Sequence, residues 1–84
     1  SDMHKIQCVF EQDEEAFLRE HLHIVRYGRT GNFVTMVVKG EKEAIMQKIQ
    51  EKTPVWCETI PLSIEEIFLC NMEGVDYDIS KVIF

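Results

Sequence analysis

Four groups of residues in this chain have side chains able to do chemistry. They are three histidines (His4, His21, His23), three cysteines (Cys8, Cys57, Cys70), the adjacent carboxylates Glu65 and Glu66, and the glycine-flanked turn Tyr27-Gly28-Arg29-Thr30-Gly31. A structural zinc site would need cysteines roughly two to four residues apart or histidines roughly three to five apart. His21-x-His23 is too short and the cysteines are too far apart, so no metal site is expected. A nucleophilic cysteine needs an exposed, electropositive thiol beside a base. Cys8 and Cys57 fall at core-facing strand positions and Cys70 on an acidic helix that would raise its pKa, so all three read as inert, reduced, space-filling thiols. Glu66 is explained as a capping residue and Glu65 as a partner of the helix dipole, which leaves no carboxylate pair for acid/base work. None of the four glycines (Gly28, Gly31, Gly40, Gly74) precedes Lys-Ser/Thr in a phosphate loop, and Gly-x-Gly-x-x-Gly is absent. The Gly28–Gly31 stretch reads as a hairpin turn rather than an anion site. No active site is expected: no catalytic, cofactor-binding or metal residue is assigned.

Eighty-four residues make one small domain with little surplus stability. At 45% hydrophobic residues, eight of them aromatic, the chain is globular. No run approaches the roughly 20 apolar residues that span a bilayer, and the N-terminus has no apolar segment of the secretory kind. With serine at position 1, the chain is expected to be a piece of something longer. A net charge of −6 argues against nucleic acid or an anionic membrane as partner. The charge is uneven: residues 1–42 hold six Lys/Arg against seven Asp/Glu, residues 43–84 three against eight. The second half would repel polyanions most.

Positioning these residues requires a definite set of elements. Lys5–Glu11 alternates as a half-buried strand, with Ile6, Cys8 and Phe10 on one side. Asp13 is placed to cap a helix with Glu14 and Glu15 in its first turn, an inward face of Phe17, Leu18 and Leu22, and an end near His21. His23–Tyr27 and Asn32–Lys39 read as two strands joined through Gly28–Gly31. Glu41–Lys52 reads as a helix with Ala44, Ile45 and Ile49 inward, stopped by Thr53-Pro54. Val55–Ile60 is a fourth strand, with Val55, Cys57 and Thr59 on one side and Trp56, Glu58 and Ile60 on the other. Ser63 and Glu66 form a capping box, Leu62 and Ile67 can close a hydrophobic staple, Ile64, Ile67 and Phe68 make one apolar face, and Gly74 suits a helix stop. The expected fold is α+β: a ferredoxin-like βαββαβ sandwich over 3–61, followed by a C-terminal helix (62–74) and a tail (75–84). Its sheet would be four-stranded and antiparallel in the order 4-1-3-2, with two helices on one face. The other face, carrying Val9, Trp56 and Ile60, is expected to be a partner surface unless the third helix folds back over it.

Pro61-Leu-Ser-Ile-Glu-Glu-Ile-Phe-Leu resembles the signature near the C-terminus of ATP-binding subunits of bacterial ABC transporters of the drug-export, bacitracin-resistance type. In that family it runs leucine/isoleucine, glutamate, glutamate/aspartate, isoleucine/valine, phenylalanine. The continuation Asn71-Met-Glu-Gly-Val-Asp-Tyr-Asp is similar to the methionine-glutamate-glycine-x-x-tyrosine-aspartate tail of one branch. Pro61, Ser63, Glu65, Glu66, Ile67, Phe68, Glu73, Gly74, Tyr77 and Asp78 match the pattern. Leu69-Cys70-Asn71 departs from it, where relatives have a more aromatic or acidic run. The resemblance implies the C-terminal accessory domain of such a subunit, with the nucleotide site lying wholly upstream. ATP and magnesium would then belong to the parent protein, and this chain would be non-catalytic.

The partners so implied are the subunit's own nucleotide-binding domain and the ATPase dimer partner, and indirectly the permease, with a homodimer also open. The place implied is cytoplasmic, peripheral to the inner face of the membrane. Interface positions expected on this reading are Trp56, Ile60, Phe68, Tyr77 and Ile79, with Leu62–Phe84 as the docking element. A second reading is a ferredoxin-like domain that binds a small regulatory molecule through the backbone at Gly28–Gly31 and Gly40.

Overall fold

The computed structural model describes residues 2–71. Within them the order is β1 (Met3–Val9), α1 (Glu15–His21), β2 (His23–Thr30), β3 (Phe33–Lys39), α2 (Lys42–Gln50), β4 (Trp56–Ile60) and α3 (Ile64–Cys70). The class is α+β: one four-stranded antiparallel sheet and three helices. The sheet runs β2-β3-β1-β4, which read from the opposite edge is 4-1-3-2. No described helix is long and apolar enough to cross a membrane.

The alternation of β1 sends Ile6 and Cys8 to one face of the sheet, where they meet Val34, Met36 and Val38 of β3. Leu18 of α1 and Ile45 and Ile49 of α2 close over these residues, so both helices pack on this face. Each of the two isoleucines, at most 4% exposed, contributes on the order of 2 kcal/mol. Ala44, expected inward, is exposed, and Met46 packs on the core instead. The helix is only nine residues long, and the stripe through Ile45 and Ile49 leaves Ala44 beyond its edge.

Several boundaries differ from those expected. β1 ends at Val9 rather than Glu11, because β3 and β4 begin opposite Val9 and offer Glu11 no ladder partner. Asp13 is not the N-cap of α1: Glu14 holds that place with no side-chain cap, while Asp13 Oδ1 accepts the Glu15 N–H at 3.0 Å. The hairpin turn is also tighter. β2 continues through Gly28, Arg29 and Thr30, Thr30 faces Phe33, and only Gly31-Asn32 turn. Of the two glycines in that stretch only Gly31 has a positive φ (59°), which the tight turn requires. β2 carries a bulge between Ile24 and Arg26: Val25 lies on the face opposite Ile24 by ordinary alternation, and the extra residue brings Arg26 to Val25's face, opposite Val37.

The capping box of α3 is present: Ser63 Oγ accepts the Glu66 N–H at 3.0 Å, and Glu66 Oε1 accepts the Ser63 N–H at 2.9 Å. α3 ends at Cys70, with Asn71 as its C-cap; Gly74 lies outside the described residues. Of its expected apolar face only Ile67 is half-buried, and the other two residues turn outward. Ile64 is 86% exposed and Phe68 64%, while Glu66 and Cys70 are buried. The physical reason is an ion pair and a thiol contact on the sheet, described next.

Candidate functional site

The strand register sets out the face opposite α1 and α2 as a series of rows. Trp56, Val9, Phe33 and Thr30 form one, followed by Glu58, Gln7, Thr35 and Gly28, then Ile60, Lys5, Val37 and Arg26. α3 rests over the third row. Cys70 packs with Val37 and the bulged Val25, and Met3 and Leu62 border the cluster. Beside it, Lys5 Nζ meets Glu66 Oε2 at 2.6 Å, with only 12% and 8% of the two side chains exposed. Glu66 therefore uses one oxygen for its own helix cap and the other for the sheet. Burial pushes its carboxyl upward, but the Lys5 ammonium and the Ser63 N–H outweigh that and hold its pKa below 4.5. A charged, hydrogen-bonded pair thus decides which side of α3 faces in, so the apolar Ile64 and Phe68 face out.

Among the described residues, no element covers the first row at the far end of the face. Trp56 is 42% exposed and Phe33 40%, and their rings stack with centroids 6.3 Å apart across Val9. Val55, just before β4, is 65% exposed. Aromatic rings with one face toward water are the side chains most enriched at protein interfaces. Of the interface positions expected from the sequence, Trp56 and Phe68 are exposed and Ile60 is half-buried. Ile60 also borders a cleft of about 410 Å³ with Leu62 and Ile67, the two residues of the expected staple. Tyr77 and Ile79 lie outside the described residues. Trp56 sits in the first row and Ile60 in the third, on one face of the sheet, whereas Phe68 stands on the outer side of α3.

The other chemistry-bearing residues are placed as follows. His21 stacks on Phe17 at 4.3 Å, and its Nδ1 lies 3.0 Å from the Phe17 carbonyl oxygen. Arg29 pairs with Asp13 at 3.1 Å on the surface, beside the hairpin. Gly40 and its neighbours Lys39 and Glu41 border a cleft with His21, His23 and Lys48; Gly28–Gly31 does not reach it. Among the described residues no group of three or more His, Cys, Asp or Glu side chains could hold a metal ion. The Cys70 thiol is pushed up mainly by burial, with Arg26 opposing and Glu66 adding a smaller upward push.

Sequence reasoning missed three pairings. Trp56 was placed with Val9 and Ile60 on the uncovered face without Phe33, whose stacking on Trp56 required the register. Lys5 and Glu66 are separated by 61 positions and carry no local signal. Cys8 and Cys57 were both placed facing the core, and the expected neighbour relation of first and fourth strands could have joined them. They are register partners on adjacent strands, with sulfurs 3.0 Å apart.

Compared with known proteins, the chain matches no family model, no curated protein and no solved structure.

Proposed function

We propose that this chain is a non-catalytic accessory domain of an ABC transporter ATP-binding subunit, with a ferredoxin-like βαββαβ core. In this reading it packs on the nucleotide-binding domain of its own subunit, or on the second copy in the ATPase dimer, and biases their opening or stability. ATP and magnesium act in the parent protein, and the domain sits on the cytoplasmic side of the membrane through the transporter complex.

One observation carries the reading. Within Pro61–Leu69, the stretch that resembles the family signature, Ile64 and Phe68 are exposed although the fold has an apolar cluster beside them. A capped helix that turns its polar Glu66 inward and its isoleucine and phenylalanine outward is built to meet something else. The stacked Phe33–Trp56 row offers a second apolar contact on the face that α3 leaves open.

The reading frame upstream of residue 1 tests the assignment: it is expected to encode a phosphate loop and an ABC signature motif. A start codon at Met3 would overturn it. In the full subunit, deletion of this domain is expected to change ATP turnover or dimerisation; unchanged values of both would count against a regulatory role.

The small-molecule reading retains one supporting observation, the cleft of about 470 Å³ bordered by Gly40 and four lysine and histidine residues, His21, His23, Lys39 and Lys48. Thermal stabilisation by an amino acid, nucleotide or divalent metal would favour it.

A further inference from the structure

Cys8 on β1 and Cys57 on β4 stand directly opposite one another in the antiparallel ladder. Opposed residues in such a ladder have Cα atoms roughly 4.5–5.5 Å apart, inside the roughly 4.4–6.8 Å window of disulfides. Their sulfurs already touch at 3.0 Å. Bond formation needs the two sulfurs to close by about 1 Å and leaves the strand register in place. Access is asymmetric: Cys8 is fully buried, while Cys57 is half-buried on the edge strand. Cys70 lies with the cluster under α3, on the opposite face of the sheet, and cannot compete for either sulfur.

We propose that Cys8 and Cys57 form a dithiol site that exchanges with small disulfides of the glutathione class and closes reversibly into a cross-strand disulfide. The hydrogen bond between the two thiols lowers the Cys57 pKa, against the opposing effect of burial, and the same bond together with burial raises that of Cys8. Cys57 is therefore the entering thiolate. Its sulfur attacks one sulfur of the small disulfide, whose S–S bond breaks and releases one thiolate. That thiolate takes the Cys8 proton. The Cys8 sulfur then attacks Cys57 Sγ, forming the internal bond and expelling the second small thiolate, which takes a proton from water. The two cysteines lose two electrons and the small disulfide gains them. The product staples β4, and the start of α3 behind it, to β1. This inference does not depend on the proposed function.

The test incubates the full chain in oxidised glutathione, natively and in urea, followed by intact mass and peptide mapping after alkylation. The native chain is expected to lose two hydrogens, give one cross-linked peptide joining Cys8 to Cys57, and keep Cys70 alkylatable on unfolding. Its thermal midpoint should rise on oxidation and return with dithiothreitol. Cys57→Ser should show neither the cross-link nor the shift. A lasting glutathione adduct, a link through Cys70 or between chains, or no thiol loss in the native chain while the urea sample oxidises would each overturn the proposal. Mapping the native chain decides the matter even if Cys57→Ser fails to fold.

Discussion

Glu66 is the residue on which the orientation of α3 turns. Its two carboxylate oxygens hold the helix cap and the Lys5 ammonium, so the helix cannot rotate without breaking both. Removing one member of a buried ion pair leaves the other charged without its ionic partner, which costs on the order of 3 kcal/mol. Lys5→Met is expected to lower stability by about that amount near neutral pH, read by urea unfolding. The pH dependence has a definite sign. The folded-state pKa of Glu66 lies below its ordinary 4.5, so the pair's contribution is present above that value and is lost as pH falls through the depressed one. The gap between the native chain and Lys5→Met should therefore narrow in acid. A gap that stayed constant with pH would mean that the ion pair is not what holds the helix.

At the scale of elements, strands were more legible than helix faces. The alternation of Ile6, Cys8 and Phe10 put the three on one side of the first strand, and all three are buried, because a strand has only two faces to choose between. A short helix offers no such binary choice. The spacing of Ile64, Ile67 and Phe68 gave an apolar face but not its direction, and the Lys5–Glu66 pair is what leaves Ile64 and Phe68 outward. The hairpin was misplaced for a related reason: two glycines bracket Arg29-Thr30, and which of them needs a positive φ depends on the register. A further local strain shows where α2 ends. Thr53 has φ 47°, a left-handed conformation that a β-branched residue adopts at a cost of roughly 1–2 kcal/mol. Asparagine tolerates that region far better, so Thr53→Asn is expected to raise stability by about 1 kcal/mol, seen as a higher urea midpoint. A lower midpoint would show that the Thr53 side chain supplies more than its backbone costs.

For the whole molecule, the sheet divides the labour. One face is a filled core under α1 and α2; the other is closed at one end by α3 and open at the other, where Phe33, Val9 and Trp56 form their row. The α+β class with a four-stranded antiparallel sheet was readable from element order and turn residues, because crossover rules leave few arrangements for this series of strands and helices. The candidate surface was only partly readable. Trp56 and Phe68 emerged from pattern and resemblance, whereas Phe33 entered through the register that seats it beside Val9. The central claim is that this open face and the outer side of α3 dock on a nucleotide-binding domain. The most direct measurement is an NMR titration of the isotope-labelled chain with that domain from the parent subunit. The account predicts shifts at the Trp56 indole, Phe33, Val55, Ile64 and Phe68, with Ile45 and Ile49 unmoved. Shifts confined to α1 and α2, or none at saturating concentrations, would contradict it.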